Sequence, residues 1–106
     1  MNDRLMSLLG LIRKAGKLVI GSDAVLESVK NGKSGLVIIT ADASEHTKRT
    51  VKAKCDNTPI IEIRHSQEDV FKAAGKSGKI LSVEDDGFAQ SIAALIQEDC
   101  LYGNSL

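Results

Sequence analysis

Apolar residues along the chain switch between two spacings, and the switches mark out its elements. Leu5, Leu8, Leu9 and Ile12 recur at i, i+3, i+4 and i+7, which predicts an amphipathic helix over 3–15 closed by Gly16. "KLVI" (17–20) reads as a short strand. Residues 22–31 return to helical spacing, with Val25, Leu26 and Val29 turned inward. "GLVIIT" (35–40) is an unbroken run rich in β-branched residues, as in a central strand covered on both faces.

The second half repeats the alternation. "ADASEHTKRTVKAKC" (41–55) predicts a helix, with Asp42 or Ser44 to cap its free amides and Pro59 to prevent its continuation. "IIEI" (60–63) is a third long strand candidate. "SQEDVFKAAGK" (66–76) reads as a short helix capped by Ser66. "KILSV" (79–83) is the last strand, and 84–99 the last helix, with Phe88, Ile92, Leu95 and Ile96 on one stripe. Residues 1–99 therefore form one domain, and 100–106 a fraying tail. Such alternation implies a three-layer α/β/α sandwich around a four-stranded sheet, with the short, lysine-led first strand at an edge or antiparallel. That makes the sheet mixed.

Composition narrows the class. With 106 residues, 42% hydrophobic and 26% charged, the chain is an ordinary globular domain. The N-terminal apolar stretch is broken by Ser7 and followed by Arg13 and Lys14, and Asp3 stands where a secretory leader is positive. No apolar run reaches the roughly 20 residues that cross a bilayer. Cys55 and Cys100 follow no metal or redox spacing, which fits a reducing, cytoplasmic setting; with no spanning run, no membrane partner is expected.

Charge changes the picture. The net charge is zero, yet residues 1–55 hold ten Lys and Arg against five Asp and Glu, and residues 56–106 four against nine. A phosphate backbone responds to the local field rather than to the sum.

Enzyme chemistry does not assemble. "GKS" occurs at 32–34 and 75–77, but Glu27 and Val70 stand where a phosphate-binding loop needs glycine, and both tripeptides follow helices. His46 and His65 lack zinc spacing. "EDD" (84–86) suits the capping of a helix better than a cation. No catalytic residue, metal, cofactor or small-molecule substrate is expected.

What remains is "RKAGKLVIGSDAV". A helix start offers unpaired N–H groups and about half a positive charge, a ready anion site. Gly21 permits close approach, and Arg13, Lys14 and Lys17 stand upstream to flank it. Asp23 repels phosphate and instead suits the paired N–H donors of a guanine edge. Plain helix capping by Gly21, Ser22 and Asp23 accounts for the same residues.

The long segment "SLLGLIRKAGKLVIGSDAVLESVKNGKSGLVIITADASEHTKRTVKAKC", followed by "PIIEI", "VFKAAGK" and "DDGFAQSI", resembles the bacterial, YlxQ-type branch of the kink-turn-binding ribosomal protein superfamily. That superfamily takes its name from the large-subunit proteins L-seven-Ae and L-thirty-e. The similarity runs from about Leu5 to Ile96, and the pairing of "LLGLIRKAGKLVIG" with "DASEHTKR" is its specific mark.

The resemblance implies an α/β/α fold that binds structured RNA, ribosomal RNA foremost, beside ribosomal or translation proteins and without enzyme activity. By position it implies contacts from Lys17, Gly21, Ser22 and Asp23, and from Gly75, Lys76, Ser77, Gly78 and Lys79. Ala41 and Asp42 would lie beside them, and Lys48 at the rim. The family pattern Gly-x-Asn-Glu-x-x-Lys is altered, since Asp23, Ala24 and Glu27 replace its last three defined residues. The turn "GKSGK" is polar and basic, with little to stack on a base. The alternative reading is a protein-interaction scaffold docking through the acidic last third, at Glu84 to Asp86 and Glu98 to Asp99.

Overall fold

The computed structural model describes residues 4–55 and 57–101, with side chains described as far as residue 96. Helices and strands alternate: α1 (Arg4–Lys14), β1 (Leu18–Ile20), α2 (Ser22–Lys30), β2 (Leu36–Ile39), α3 (Glu45–Lys54), β3 (Ile60–Glu62), α4 (Gln67–Ala74), β4 (Ile80–Val83) and α5 (Asp86–Leu101). The strands form one mixed sheet in the order β1-β4-β2-β3. β4 runs antiparallel to both β1 and β2, while β2 and β3 are parallel. The expected edge position and antiparallel pairing of β1 are both present.

Because strand side chains alternate between faces, the sheet feeds two cores. Leu18, Ile20, Leu36, Ile38, Leu81 and Val83 point to one face, where they meet Leu9 and Ile12 of α1, Val70 of α4 and Ile92 of α5. Val37, Ile39 and Ile80 point to the other, against Val25 of α2, Val51 of α3 and Cys55. Each fully buried Leu, Ile or Val contributes about 1.5–3 kcal/mol. β2 and β4, buried at every position, are the two inner strands.

Four expectations need adjusting. The third helix does not start at Ala41: Thr40 to Ala43 form a turn, and Ser44 is the cap, its hydroxyl accepting from the Thr47 amide at 3.1 Å. β3 is not a long strand but three residues at the sheet edge, because only β2 pairs with it. On α2 the fully buried positions are Val25 and Ser28, while Leu26 and Val29 are half-buried. Helix α5 runs from Asp86 to Leu101 rather than over 84–99. The fraying expected of the tail falls on 102–106, outside the described residues.

Ser28 is buried because α2 packs against a polar position of β4. The Ser28 and Ser82 hydroxyls lie 3.1 Å apart, and Ser28 donates to Glu84 Oε2 at 2.6 Å. Ser82, fully buried, donates to Ser34 at 2.7 Å, which in turn donates to the Leu36 carbonyl. Buried hydroxyls demand partners, and this chain supplies them.

Candidate nucleic-acid interface

Helix α2 begins without a side-chain cap. Its N-cap is Gly21, at φ 114° and ψ 144°, a region open to glycine alone. The Gly21 amide donates to the Ile80 carbonyl at 2.9 Å, and its carbonyl accepts from Val25 at 2.9 Å. No side-chain hydrogen bond reaches the helix start, which leaves the first-turn amides of Ser22, Asp23 and Ala24 facing outward at the positive end of the dipole. The later helices differ. Ser44 caps α3, a Ser66–Asp69 capping box closes α4, and Asp85 accepts from the Phe88 amide at the start of α5.

The basic turn before β4 sits directly on this helix start. Gly75 ends α4 in the left-handed conformation, at φ 79°. Two residues before β4, Gly78 packs so closely that a Cβ there would stand 3.3 Å from the Gly21 nitrogen and 2.5 Å from Ile20 Cγ2. Lys76 and Ser77 are exposed and Lys79 is half-buried. The Lys79 carbonyl accepts from the Thr40 amide (2.9 Å) and hydroxyl (3.3 Å), which fastens the turn to the end of β2.

Asp42 joins this end of the sheet in a structural capacity. Its carboxylate accepts from the Thr40 hydroxyl at 2.7 Å and from the Gln67 amide at 3.2 and 3.3 Å, so it helps cap α4 rather than α3. The Thr40 hydroxyl foremost, with the Gln67 amide and the Lys79 charge adding, holds its carboxyl below the usual range against the opposing effect of burial. Ala41 donates to the His65 carbonyl at 2.9 Å, which brings residues 63–65 alongside.

Four other expected contributors are placed differently. Lys17 lies at the opposite end of β1, where its carbonyl accepts from the Glu84 amide at 2.8 Å. An extended chain advances about 3.3 Å per residue, so Lys17 and Gly21 are separated by roughly 13 Å. Arg13 and Lys14, in the last turn of α1, belong with Lys17 at that far end and complement the helix dipole. Lys48 is engaged with Glu62 at 3.2 Å, its side chain 19% exposed. The structure thus brings together Gly21, Ser22, Asp23, Asp42, Gly75, Lys76, Ser77 and Lys79. It sets Arg13, Lys14 and Lys17 apart from them, and holds Lys48 in an ion pair with Glu62, which is registered with Ile39.

Sequence reasoning overlooked Thr40, whose position at the end of an apolar run hides its role as the clamp for both Lys79 and Asp42. The acidic run 84–86 is largely committed internally: Glu84 accepts from Ser28, and Asp85 caps α5. Of the other acidic pair expected at a docking face, Glu98 and Asp99, the side chains lie outside the described residues. Among the described residues no helix is long and apolar enough to cross a membrane, and no group of three His, Cys, Asp or Glu is placed to hold a metal.

A family model described as ribosomal protein L7Ae/L30e/S12e/Gadd45 matches residues 3–93. The chain is 35% identical over 94 residues to the RNA-binding protein YlxQ of Enterococcus faecium, covering 87% of this chain and 90% of that one. It is 34% identical to the RNA-binding protein YlxQ of Bacillus subtilis (strain 168), covering 84% and 91%. Among solved structures, a protein with unknown function from Bacillus halodurans C superposes with a TM-score of 0.83 at 35% identity, over 91% of this chain and 99% of that one. The Giardia lamblia 15.5kD RNA binding protein shares the fold, with a TM-score of 0.72 at 21% identity over 92% and 89%.

Proposed function

The chain belongs to the ribosomal protein L7Ae/L30e/S12e/Gadd45 family, and on that premise we propose that it is a non-enzymatic protein of the ribosome or translation apparatus that docks structured, kink-turn-like RNA. The observation that carries this reading is the seating of the Gly78 turn on the uncapped start of α2. Free amides at a helix N-terminus and the ammonium groups of Lys76 and Lys79 then converge on one folded phosphate backbone. Asp23 stands in the first turn of α2, where a carboxylate accepts two N–H donors from a guanine edge. The names of its YlxQ relatives, both RNA-binding proteins, support the same conclusion.

The test is a filter-binding assay with ribosomal RNA and a kink-turn hairpin at two salt concentrations. Expected is binding that weakens steeply with salt, and that the double reversal Lys76→Glu/Lys79→Glu largely abolishes. Salt-insensitive binding, or full binding by that variant, overturns the reading.

A further inference from the structure

Two helices of the chain close on the same pattern, Lys-x-Gly-Lys. Lys14 to Lys17 end α1 and Lys30 to Lys33 end α2, and the geometry repeats with the sequence. Gly16 and Gly32 are left-handed, at φ 74° and 73°. The Lys17 amide donates back to the Ile12 carbonyl and the Lys33 amide to the Ser28 carbonyl, each at 3.0 Å. Closures of this kind satisfy the final carbonyls from within the backbone and make no use of the lysine side chains. All four lysines are exposed, and among the described residues none of their side chains meets a hydrogen-bond or ion-pair partner.

The sheet sets the two closures on either side of one strand. The Lys17 carbonyl accepts from the Glu84 amide, and the Gly35 amide donates to the Val83 carbonyl, both at 2.8 Å, so the two segments flank the end of β4. Neighbouring strands lie about 4.8 Å apart, which puts Lys17 and Gly35 roughly 10 Å from each other. Lys54, at the end of α3, shares with Lys30 a groove of about 730 Å³ that Leu26, Glu27 and Asn31 also line. Arg13 adds a sixth cation beside Lys14. Four carboxylates belong to this end. Glu84 accepts from the Ser28 hydroxyl and Asp85 from the Phe88 amide, while Glu27 and Asp86 are exposed. Cations therefore hold the majority among the described residues.

We infer that the paired helix ends form a second RNA-backbone contact, at the opposite end of the sheet from the start of α2, so that the protein bridges two segments of folded RNA. Lysine is depleted from the cores of protein interfaces, where aromatic residues gather, and these closures present lysines with no exposed ring among them. Lysines of this kind suit phosphate, which they hold without reading sequence. The inference rests on the RNA-binding reading and adds a second surface to it.

The test offers protein saturated with a kink-turn hairpin a differently labelled RNA duplex of about 20 base pairs, at low salt, on native gels. Expected is a complex carrying both labels that dissolves as salt rises. Lys17→Glu/Lys33→Glu, whose sites lie outside both helices, should lose that complex while binding the hairpin within a few-fold of wild type and melting alike. The salt slope for the duplex should fall by about 0.9 for each lysine that neutralised a phosphate. Lys17→Arg/Lys33→Arg should keep the complex, and Lys76→Glu/Lys79→Glu should lose the hairpin but keep the duplex. No doubly labelled complex with wild type, or one that Lys17→Glu/Lys33→Glu retains, overturns this inference and leaves the α2 interface standing. Equal loss of hairpin and duplex in that variant also overturns it, since one surface would then serve both. Absence of hairpin binding by wild type overturns the α2 interface, and the bridging with it.

Discussion

Gly78 lies against Gly21: a single added carbon at residue 78 would sit 3.3 Å from the Gly21 nitrogen and 2.5 Å from Ile20 Cγ2. The two glycines, 57 positions apart, are the point at which the turn before β4 meets the start of α2. Their substitutions should fail for different reasons. Gly78→Ala meets buried Ile20 and must push the turn outward, a crowding cost of about 1–3 kcal/mol. Gly21→Ala meets nothing within 4 Å, yet its φ of 114° costs a side chain about 1–3 kcal/mol of backbone strain. Thermal melts should show both losses. Only Gly78→Ala should couple to Ile20→Ala, which removes the Cγ2 that the new carbon meets, so that the double variant loses less than the sum of the two.

The separation of Lys17 from the α2 start makes a second prediction. Charge reversal at Arg13, Lys14 and Lys17 together should leave hairpin RNA affinity within a few-fold of wild type, an effect of the long-range field alone. Neutralising Lys76 and Lys79 should instead reduce the salt slope by about 0.7–0.9 for each phosphate that a lysine no longer neutralises. Equal effects at the two ends of the sheet would contradict the placement of the interface.

Asp42 links folding to pH. Its carboxyl is lowered below the ordinary value of 3.8, chiefly by the Thr40 hydroxyl, so the folded state binds its proton less readily than the unfolded chain does. The stabilisation is accordingly present above the unfolded value and is lost as pH falls through the folded one. Asp69, bonded by the Ser66 amide, and Glu62, bonded by Lys52 and Lys48, are lowered in the same sense. Asp42→Ala should destabilise the protein by about 0.5–2 kcal/mol at pH 7, the range for losing a helix cap. In urea titrations the difference from wild type should shrink as pH falls below the ordinary value of 3.8 and through the lowered one.

The serine chain under α2 should behave as one unit. Ser82→Ala removes a partner from both Ser28 and Ser34, at a cost of about 1–3 kcal/mol. Adding Ser28→Ala should cost less than its separate effect, because the 3.1 Å contact between the two hydroxyls is already gone. Strict additivity in denaturant unfolding would contradict the coupling.

Much of this molecule is written locally. The spacing of Leu5, Leu9 and Ile12 sets a helical face, and the unbroken run Leu36–Ile39 an inner strand, because side-chain period and burial on one or two faces are properties of neighbouring residues. Gly21 at the mouth of α2 and Ser66 at the mouth of α4 were legible for the same reason. Contacts across the chain were not. Whether Asp42 or Ser44 caps α3 depended on where residue 67 comes to rest. Asp42 is drawn away because the Gln67 amide and the Thr40 hydroxyl present themselves together.

Nearness along the chain also misled at Lys17, since an extended strand carries neighbours apart at about 3.3 Å per residue. The sheet order β1-β4-β2-β3 reversed that effect elsewhere, setting residue 78 against residue 21 and residue 28 against residue 82. Periodicity alone determined the elements and the layers they form. Which loops share an end of the sheet, and hence which lysines stand beside the bare helix start, was decided by strand pairing, a long-range choice that no local pattern encodes.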